Sequence, residues 1–225
     1  MTTAIIVAAG KSERMGAGTD KAFLSLGSKP VLAYSLLAFE RSPEVEAIVL
    51  VVRKDQQTAA KAMAKLYGIS KLAKVVAGGS RRQDSVKAGL AAVDAATTLV
   101  VVHDGARPCT TPDMVSEVVK MARKFNAVAI GRRMIDTVKL CEKATTVKET
   151  VDRSKLWTVQ TPQAFDYFLL RRAYDNLDAK KLLATDDAQA VELLGESVKI
   201  YESNKPNIKI TTVEDLLLAA AVVIK

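Results

Sequence analysis

The apolar residues of this chain fall into two alternating textures. Short, nearly unbroken runs recur at residues 4–9, 47–52, 74–77, 99–102 and 127–130. Runs of that length without polar alternation fit strands covered on both faces, as in a parallel sheet. Between them the apolar positions take helical spacing. Pro30 fits a helix start and is followed by Val31, Leu32, Leu36, Leu37 and Phe39, and further helices are predicted at about 56–67, 84–93 and 112–125. The β-α-β-α order implies right-handed crossovers and a doubly wound sheet.

After Gly131 the rhythm changes. Residues 135–140 and 146–151 read as short strands of mixed polarity around the turn-like Glu142-Lys143-Ala144, a hairpin excursion from the main sheet. Helical spacing returns at 165–177 and 186–194. Strands are predicted near 198–201 and 208–210. A last helix opens on a capping box, with Thr212 as N-cap and Asp215 three residues on. No repeat or linker interrupts the pattern. The chain therefore reads as one α/β domain over residues 1–225, with a Rossmann-like, mostly parallel sheet and a hairpin arm at about 135–158.

Composition narrows the function more than the fold. Hydrophobic residues at 49% and charged residues at 26% are the balance of a folded soluble chain. No apolar run approaches the roughly 18 to 20 residues that span a bilayer. The start lacks a basic segment ahead of its apolar run, so no signal peptide is read and a cytoplasmic location is expected. The two cysteines, Cys109 and Cys141, have no metal-ligand spacing and read as idle thiols. The net charge of +8 would suit nucleic acid, an acidic membrane or anionic small molecules. Basic residues are scattered, however, and aromatics are only 5%, which leaves no base-stacking platform. Several cations fall in glycine-containing loops instead, which favours small phosphorylated ligands over nucleic acid or membrane.

The first such loop covers residues 8–21. Gly10-Lys11-Ser12 resembles the end of a Walker A motif, but Ile5 stands where the leading glycine belongs. Gly16-Ala17-Gly18 begins like a dinucleotide fingerprint, but Lys21 occupies the third glycine's place. What remains is a strand end, a glycine turn and two cations, Arg14 and Lys21. Backbone N–H groups of such a turn can bond phosphate oxygens, and the cations can neutralise them. A surface turn with solvated charges has the same residues. A second loop, Gly78-Gly79-Ser80-Arg81-Arg82-Gln83-Asp84-Ser85, also ends a strand and opens a helix. The fourth strand ends in His103-Asp104-Gly105-Ala106-Arg107-Pro108. An aspartate there suits Mg²⁺ coordination, or it stabilises its own turn. His103, the sole histidine, fits a packed or hydrogen-bonded role better than a catalytic one.

Together these segments resemble the family of 2-C-methyl-D-erythritol 4-phosphate cytidylyltransferases, enzymes of the non-mevalonate isoprenoid pathway. The resemblance is carried by Ala8-Ala9-Gly10, Arg14-Met15-Gly16 and Lys21, by Gly78-Gly79 with Arg82 and Asp84-Ser85-Val86, and by the segment from His103 to Pro108. It continues through Asp136-Thr137-Val138-Lys139, Thr150-Val151-Asp152-Arg153, Leu156-Trp157, Gln160-Thr161-Pro162-Gln163, Thr185-Asp186-Asp187 and Asn207-Ile208-Lys209-Ile210-Thr211. The motifs run from the first strand to the last helix. Each alone is weak, and their order and spacing are specific.

The resemblance implies a reaction in which CTP and the methylerythritol phosphate give a CDP-alcohol and pyrophosphate, with Mg²⁺. It implies that Ala8, Ala9, Gly10, Arg14 and Lys21 hold the triphosphate. Gly79, Ser80, Arg82 and Ser85 would belong to the cytosine and ribose pocket. Asp104 would ligate Mg²⁺ with Arg107 beside it. Thr137, Arg153, Thr161, Thr185 and Lys209 would hold the methylerythritol phosphate, and Arg14, Lys21, Arg153 and Lys209 would carry the catalytic charge. It also implies a homodimer in which the arm brings Thr137 and Arg153 to the neighbouring subunit's site. Two departures stand out. Ser80 occupies a position where an acidic residue is common, and Asp20-Lys21-Ala22 replaces the frequent Pro-Lys-Gln. A ribitol 5-phosphate cytidylyltransferase would share the nucleotide loops. A non-catalytic nucleotide-binding module would need fewer cations than Arg14, Lys21 and Asp104 together supply.

Overall fold

A computed structural model describes residues 1–10, 21–143 and 145–224. The main sheet has seven strands: β1 (Thr2–Ala8), β4 (Ala47–Val52), β5 (Leu72–Ala77), β6 (Leu99–Asp104), β7 (Ala127–Arg133), β10 (Trp157–Asp166) and β11 (Lys199–Glu202). Their spatial order is β11-β7-β10-β6-β1-β4-β5. Two small antiparallel pairs stand apart from it, β2 (Ser25–Leu26) with β3 (Lys29–Pro30) and β8 (Val138–Lys143) with β9 (Thr146–Val151). The helices are α1 (Val31–Arg41), α2 (Gln57–Leu66), α3 (Arg82–Ala92), α4 (Pro112–Phe125), α5 (Tyr167–Ala179), α6 (Asp187–Leu193) and α7 (Val213–Val223).

The unbroken apolar runs became strands because both faces are covered. Along β1 and β4, Ala4, Ile6, Ile48 and Leu50 point into the layer of α1, α2 and α4. Ile5, Val49 and Val51 point into the layer of α3, α5 and α6. Both layers are apolar through their middle, and the buried polar residues of these strands are hydrogen-bonded, Thr3 in β1 to Thr97 and His103 in β6 to Thr161. Gly89 allows α3 to lie close on β1: a Cβ there would come within 2.4 Å of Ile5 Cγ2.

Three local expectations are corrected. Phe165 is not helical; it lies in β10, which pairs antiparallel with both β6 and β7, and α5 begins at Tyr167 behind its N-cap Asp166. Residues 208–210 form no strand and are tied instead by the Ile210 N–H, which donates to the Ala106 carbonyl at 2.8 Å. The arm's strands span only Val138–Lys143 and Thr146–Val151, while Trp157 and Thr158 already belong to the main sheet. The capping box of α7 is present: Asp215 Oδ2 accepts from the Thr212 N–H at 2.9 Å. Among the described residues, no helix is long and apolar enough to cross a membrane.

Strand order decides where a ligand can enter. From β1 the chain moves outward to β4 and β5, then returns to place β6 on the other side of β1. The carboxyl ends of β1 and β6 therefore flank a reversal of winding, the place where open α/β sheets bind ligands.

Candidate active site

Two strand-end loops meet at this reversal. The loop after β5 needs glycine twice. A Cβ on Gly78 would approach the Cβ of Ala9 to 2.4 Å, and one on Gly79 would approach the Cβ of Asp84 to 2.4 Å. Bare backbone is thus brought against the end of β1. Ser85 fastens the turn: its hydroxyl accepts from the Gly79 N–H and donates to the Arg81 carbonyl, both at 3.2 Å. Asp84 Oδ2 accepts from the Arg81 N–H and from the Ser80 hydroxyl, each at 3.1 Å. The Arg81 side-chain bond is the main reason the Asp84 carboxyl is held down to about 2. Ser80, the departure from the usual acidic residue, therefore serves its own loop.

Asp104 ends β6 and lies nearly buried, 7% exposed, among three cations. Arg82 Nε donates to Oδ1 at 3.1 Å, Lys209 Nζ lies 2.8 Å from Oδ2, and Arg107 Nε lies 3.5 Å from Oδ2. Burial would raise the pKa of this carboxyl. Arg82, Lys209 and Arg107 overcome that and hold it well below the usual carboxylate range. The Asp104 N–H donates to Thr161 Oγ1 at 3.0 Å, and that hydroxyl also bonds His103 Nδ1 at 3.1 Å. Burial pushes His103 down to about 3, so it is a neutral, packed imidazole.

Lys209 reaches Asp104 because Asn207 fixes the segment before it. Asn207 Nδ2 donates to the Thr161 carbonyl, its Oδ1 accepts from Thr110 Oγ1, and its own carbonyl accepts from Arg107 Nη1, each at 2.8 Å. Arg82 is fixed from the opposite side. Its Nη2 donates to Asp187 Oδ2 at 2.7 Å, and Asp187 Oδ1 accepts from the Tyr174 hydroxyl at 2.6 Å. Burial works against the Arg82 charge, but Asp187 and Asp104 outweigh it and raise its pKa.

The result is a cleft of about 320 Å³. Ala8, Ala9, Gly10 and Lys21 line it from the first loop, and Gly79, Ser80, Arg82 and Ser85 from the second. Asp104 and Lys209 close it. Arg107 and Thr161 are buried behind Asp104, 9% and 3% exposed, where they touch its carboxylate and its backbone. Arg14 lies outside the described residues. Thr137, Arg153 and Thr185 are exposed and do not line the cleft of this chain. Arg153 bonds the Ile135 carbonyl at the base of the arm, and the Thr185 N–H donates to Gln189 Oε1 at 2.6 Å.

Sequence reasoning missed five contributors. Arg53 and Lys54, in the turn after β4, line the cleft. Asp187, Tyr174 and Asn207 orient its charged residues. Asp187 and Asn207 fall in segments that carried the family resemblance, without a role attached. Tyr174 gave no signal, being one apolar position of an amphipathic helix.

Among the described residues, the arrangement is a strand-end cradle of bare backbone ringed by cations, with one ionised carboxylate at its floor. That suits a polyphosphate and its counter-cation. Comparison with known proteins agrees. Residues 2–225 match the profile of the 2-C-methyl-D-erythritol 4-phosphate cytidylyltransferase family (IspD). The enzyme of that name from Pelotomaculum thermopropionicum is 44% identical over 221 residues, covering 98% of this chain and 93% of the relative. That from Alkaliphilus metalliredigens is 40% identical, covering 98% and 92%. The crystal structure of 4-diphosphocytidyl-2C-methyl-D-erythritol synthase from Anaerococcus prevotii has a TM-score of 0.87 at 33% identity, covering 100% of this chain and 98% of that one. The cytidylyltransferase from Thermus thermophilus has a TM-score of 0.80 at 30% identity, covering 97% and 96%. With sequence, fold and cleft in agreement along its whole length, this chain belongs to the 2-C-methyl-D-erythritol 4-phosphate cytidylyltransferase family.

Proposed function

We propose that this protein joins CTP to 2-C-methyl-D-erythritol 4-phosphate, releasing pyrophosphate, in isoprenoid precursor synthesis. The observation that carries the reading is the cluster at Asp104, where Arg82, Arg107 and Lys209 converge on one carboxylate beside the glycine loops. An oxygen of the acceptor's phosphate attacks the α-phosphorus of CTP. A new P–O bond forms as the bond to the β-phosphate oxygen breaks, and pyrophosphate leaves. That oxygen is already ionised near neutral pH, since a phosphate monoester loses its second proton near pH 6. No general base is needed, which agrees with a buried neutral His103. The obstacle is repulsion between two anions, and the protein answers with positioned charge. Lys21 and Lys209 line the space where the reacting phosphates would meet, and Arg14 belongs to the same loop as Lys21. Arg82 and the backbone of Gly79 to Ser85 would hold the nucleoside end.

Mg²⁺ fits the residues present. Among the described residues, Asp104 is the carboxylate lining the cleft and its Oδ1 accepts from Arg82 alone, which leaves a lone pair on that oxygen. Among the described residues, no group of three or more His, Cys, Asp or Glu could cage a metal. One carboxylate is the protein share expected for a cation that arrives on a triphosphate. Bound at Asp104, it would draw negative charge from the triphosphate oxygens.

The exposed arm supports a homodimer. An isolated two-stranded hairpin is marginal in water, and Leu140 and Val147 are exposed on it. In such a dimer Thr137 and Arg153 would serve the partner's acceptor site, with Thr161, Thr185 and Lys209 from the chain's own side. CTP, the polyol phosphate, Mg²⁺ and a second copy are thus the partners of this reading, in the cytoplasm. The test is pyrophosphate release from CTP and Mg²⁺ with methylerythritol 4-phosphate or ribitol 5-phosphate. Release with the first and far less with the second is expected. Release with ribitol 5-phosphate alone overturns the assignment.

A further inference from the structure

We propose that Tyr174 and Asp187 are positioning residues for the nucleotide site, acting through Arg82. The inference rests on the reading of the cleft as the CTP site. Asp187 is fully buried at the first turn of α6, and Tyr174 is 3% exposed on α5. Neither lines the cleft. Asp187 divides its carboxylate between the Tyr174 hydroxyl at 2.6 Å and Arg82 Nη2 at 2.7 Å. Arg82 in turn places Nε on Asp104 at 3.1 Å. The chain Tyr174–Asp187–Arg82–Asp104 therefore crosses from the helical layer to the cleft floor.

A buried carboxylate is costly unless charge and hydrogen bonds compensate it, and replacing such a pair by apolar groups is often neutral or stabilising. Stability alone thus gives weak reason to keep an aspartate here. What the pair supplies is orientation. A guanidinium is planar and its donors are fixed relative to one another. With Nη2 tied to Asp187 and Nε to Asp104, the plane is set and Nη1 is left to meet a ligand oxygen. The Tyr174 hydroxyl bonds the other oxygen of Asp187, which holds the carboxylate from the side away from Arg82 and restrains its rotation. The α6 end is held as well: Gln163 Oε1 accepts from the Ala188 N–H at 2.9 Å, and Gln163 Nε2 donates to Asp186 Oδ2 at 2.8 Å.

The experiment measures kcat and both KM values for Tyr174→Phe, Asp187→Asn, Arg82→Gln and Arg82→Gln/Asp187→Asn, with thermal unfolding of each. Assays run well below every melting midpoint. Arg82→Gln must first lower kcat/KM for CTP; if it does not, the reading of Arg82 fails. Given that loss, Tyr174→Phe and Asp187→Asn are each expected to lower kcat/KM for CTP at least threefold, mainly through KM for CTP rather than for the acceptor. Asp187→Asn should add less than threefold in the Arg82→Gln background, because it acts through a side chain no longer present. A loss below threefold in both single variants overturns the proposal, as does a full Asp187→Asn loss in the Arg82→Gln background. A lowered melting midpoint without a change in KM for CTP overturns it too. If Asp187→Asn does not fold, Tyr174→Phe, which removes one oxygen, decides by the same criterion.

Discussion

Replacing Lys209 by methionine should separate catalysis from stability. Its Nζ lies 2.8 Å from Asp104 Oδ2, so the pair looks like a structural salt bridge. The Lys209 side chain is 38% exposed, however, though Asp104 is only 10% exposed, and solvent around the ammonium brings the pair toward the roughly 0 to 1 kcal/mol of exposed pairs after screening and side-chain entropy. Asp104 also keeps Arg82 and Arg107 when Lys209 is gone. Methionine retains most of the apolar stem. The unfolding free energy should therefore fall by less than about 1 kcal/mol. If Lys209 neutralises charge that develops during transfer, kcat should fall on the order of 10²-fold, the scale of losing one preorganised transition-state contact. The assays are urea unfolding and pyrophosphate release under saturating CTP and methylerythritol 4-phosphate. A kcat within threefold of the parent would remove Lys209 from the chemistry. A stability loss of about 3 kcal/mol or more would show that the pair is structural after all.

Three further outcomes follow from the same geometry. Arg153→Ala should raise KM for the acceptor more than KM for CTP; equal effects on both would contradict its assignment to the acceptor phosphate. Gly89→Ala should destabilise by about 1 to 2 kcal/mol in thermal unfolding, because a Cβ at 2.4 Å from Ile5 Cγ2 and 3.2 Å from Val51 Cγ2 meets stiff β-branched side chains, and that outweighs the roughly 1 kcal/mol of helix propensity gained. His103 is held at about 3 by burial, below its unfolded value near 6.5, so the unfolded chain takes up a proton that the folded chain refuses. Its contribution is full above pH 6.5 and is lost as pH falls toward 3, with a slope on the order of 1 kcal/mol per pH unit. It is the sole histidine, so denaturant titrations between pH 6.5 and 5 isolate it, and an undiminished slope in His103→Asn would refute the account.

The central strands were legible because both faces pack against helices and carry apolar residues at both parities, as in Ile5 with Ile6 and Val49 with Leu50. β10 was not. Its middle reads Gln160-Thr161-Pro162-Gln163, polar with a proline, and the register shifts between Val159 and Gln163. Those residues break the apolar run because they serve the site: Thr161 holds Asp104, and Gln163 holds the start of α6. The glycines of the second loop and Asp104 were placed at strand ends by the sequence pattern, which left a phosphate or metal role and an ordinary turn both open. That Ser80 and Ser85 bond their own loop, and that Thr161 and Arg107 stand behind Asp104, depends on distances between segments far apart in the chain. Arg53 and Lys54 were missed because nothing in a short turn after β4 distinguishes a cleft wall from a solvated surface.

The central claim is that the cleft between the first two glycine loops and Asp104 is the CTP site. A crystal structure with CTP and Mg²⁺ tests it most directly. The account predicts the triphosphate over Ala8 to Gly10 with Lys21 and Lys209 at its oxygens, the cation at Asp104, and the nucleoside against Gly79 to Ser85. A nucleotide bound elsewhere, with this cleft filled only by solvent, would contradict it.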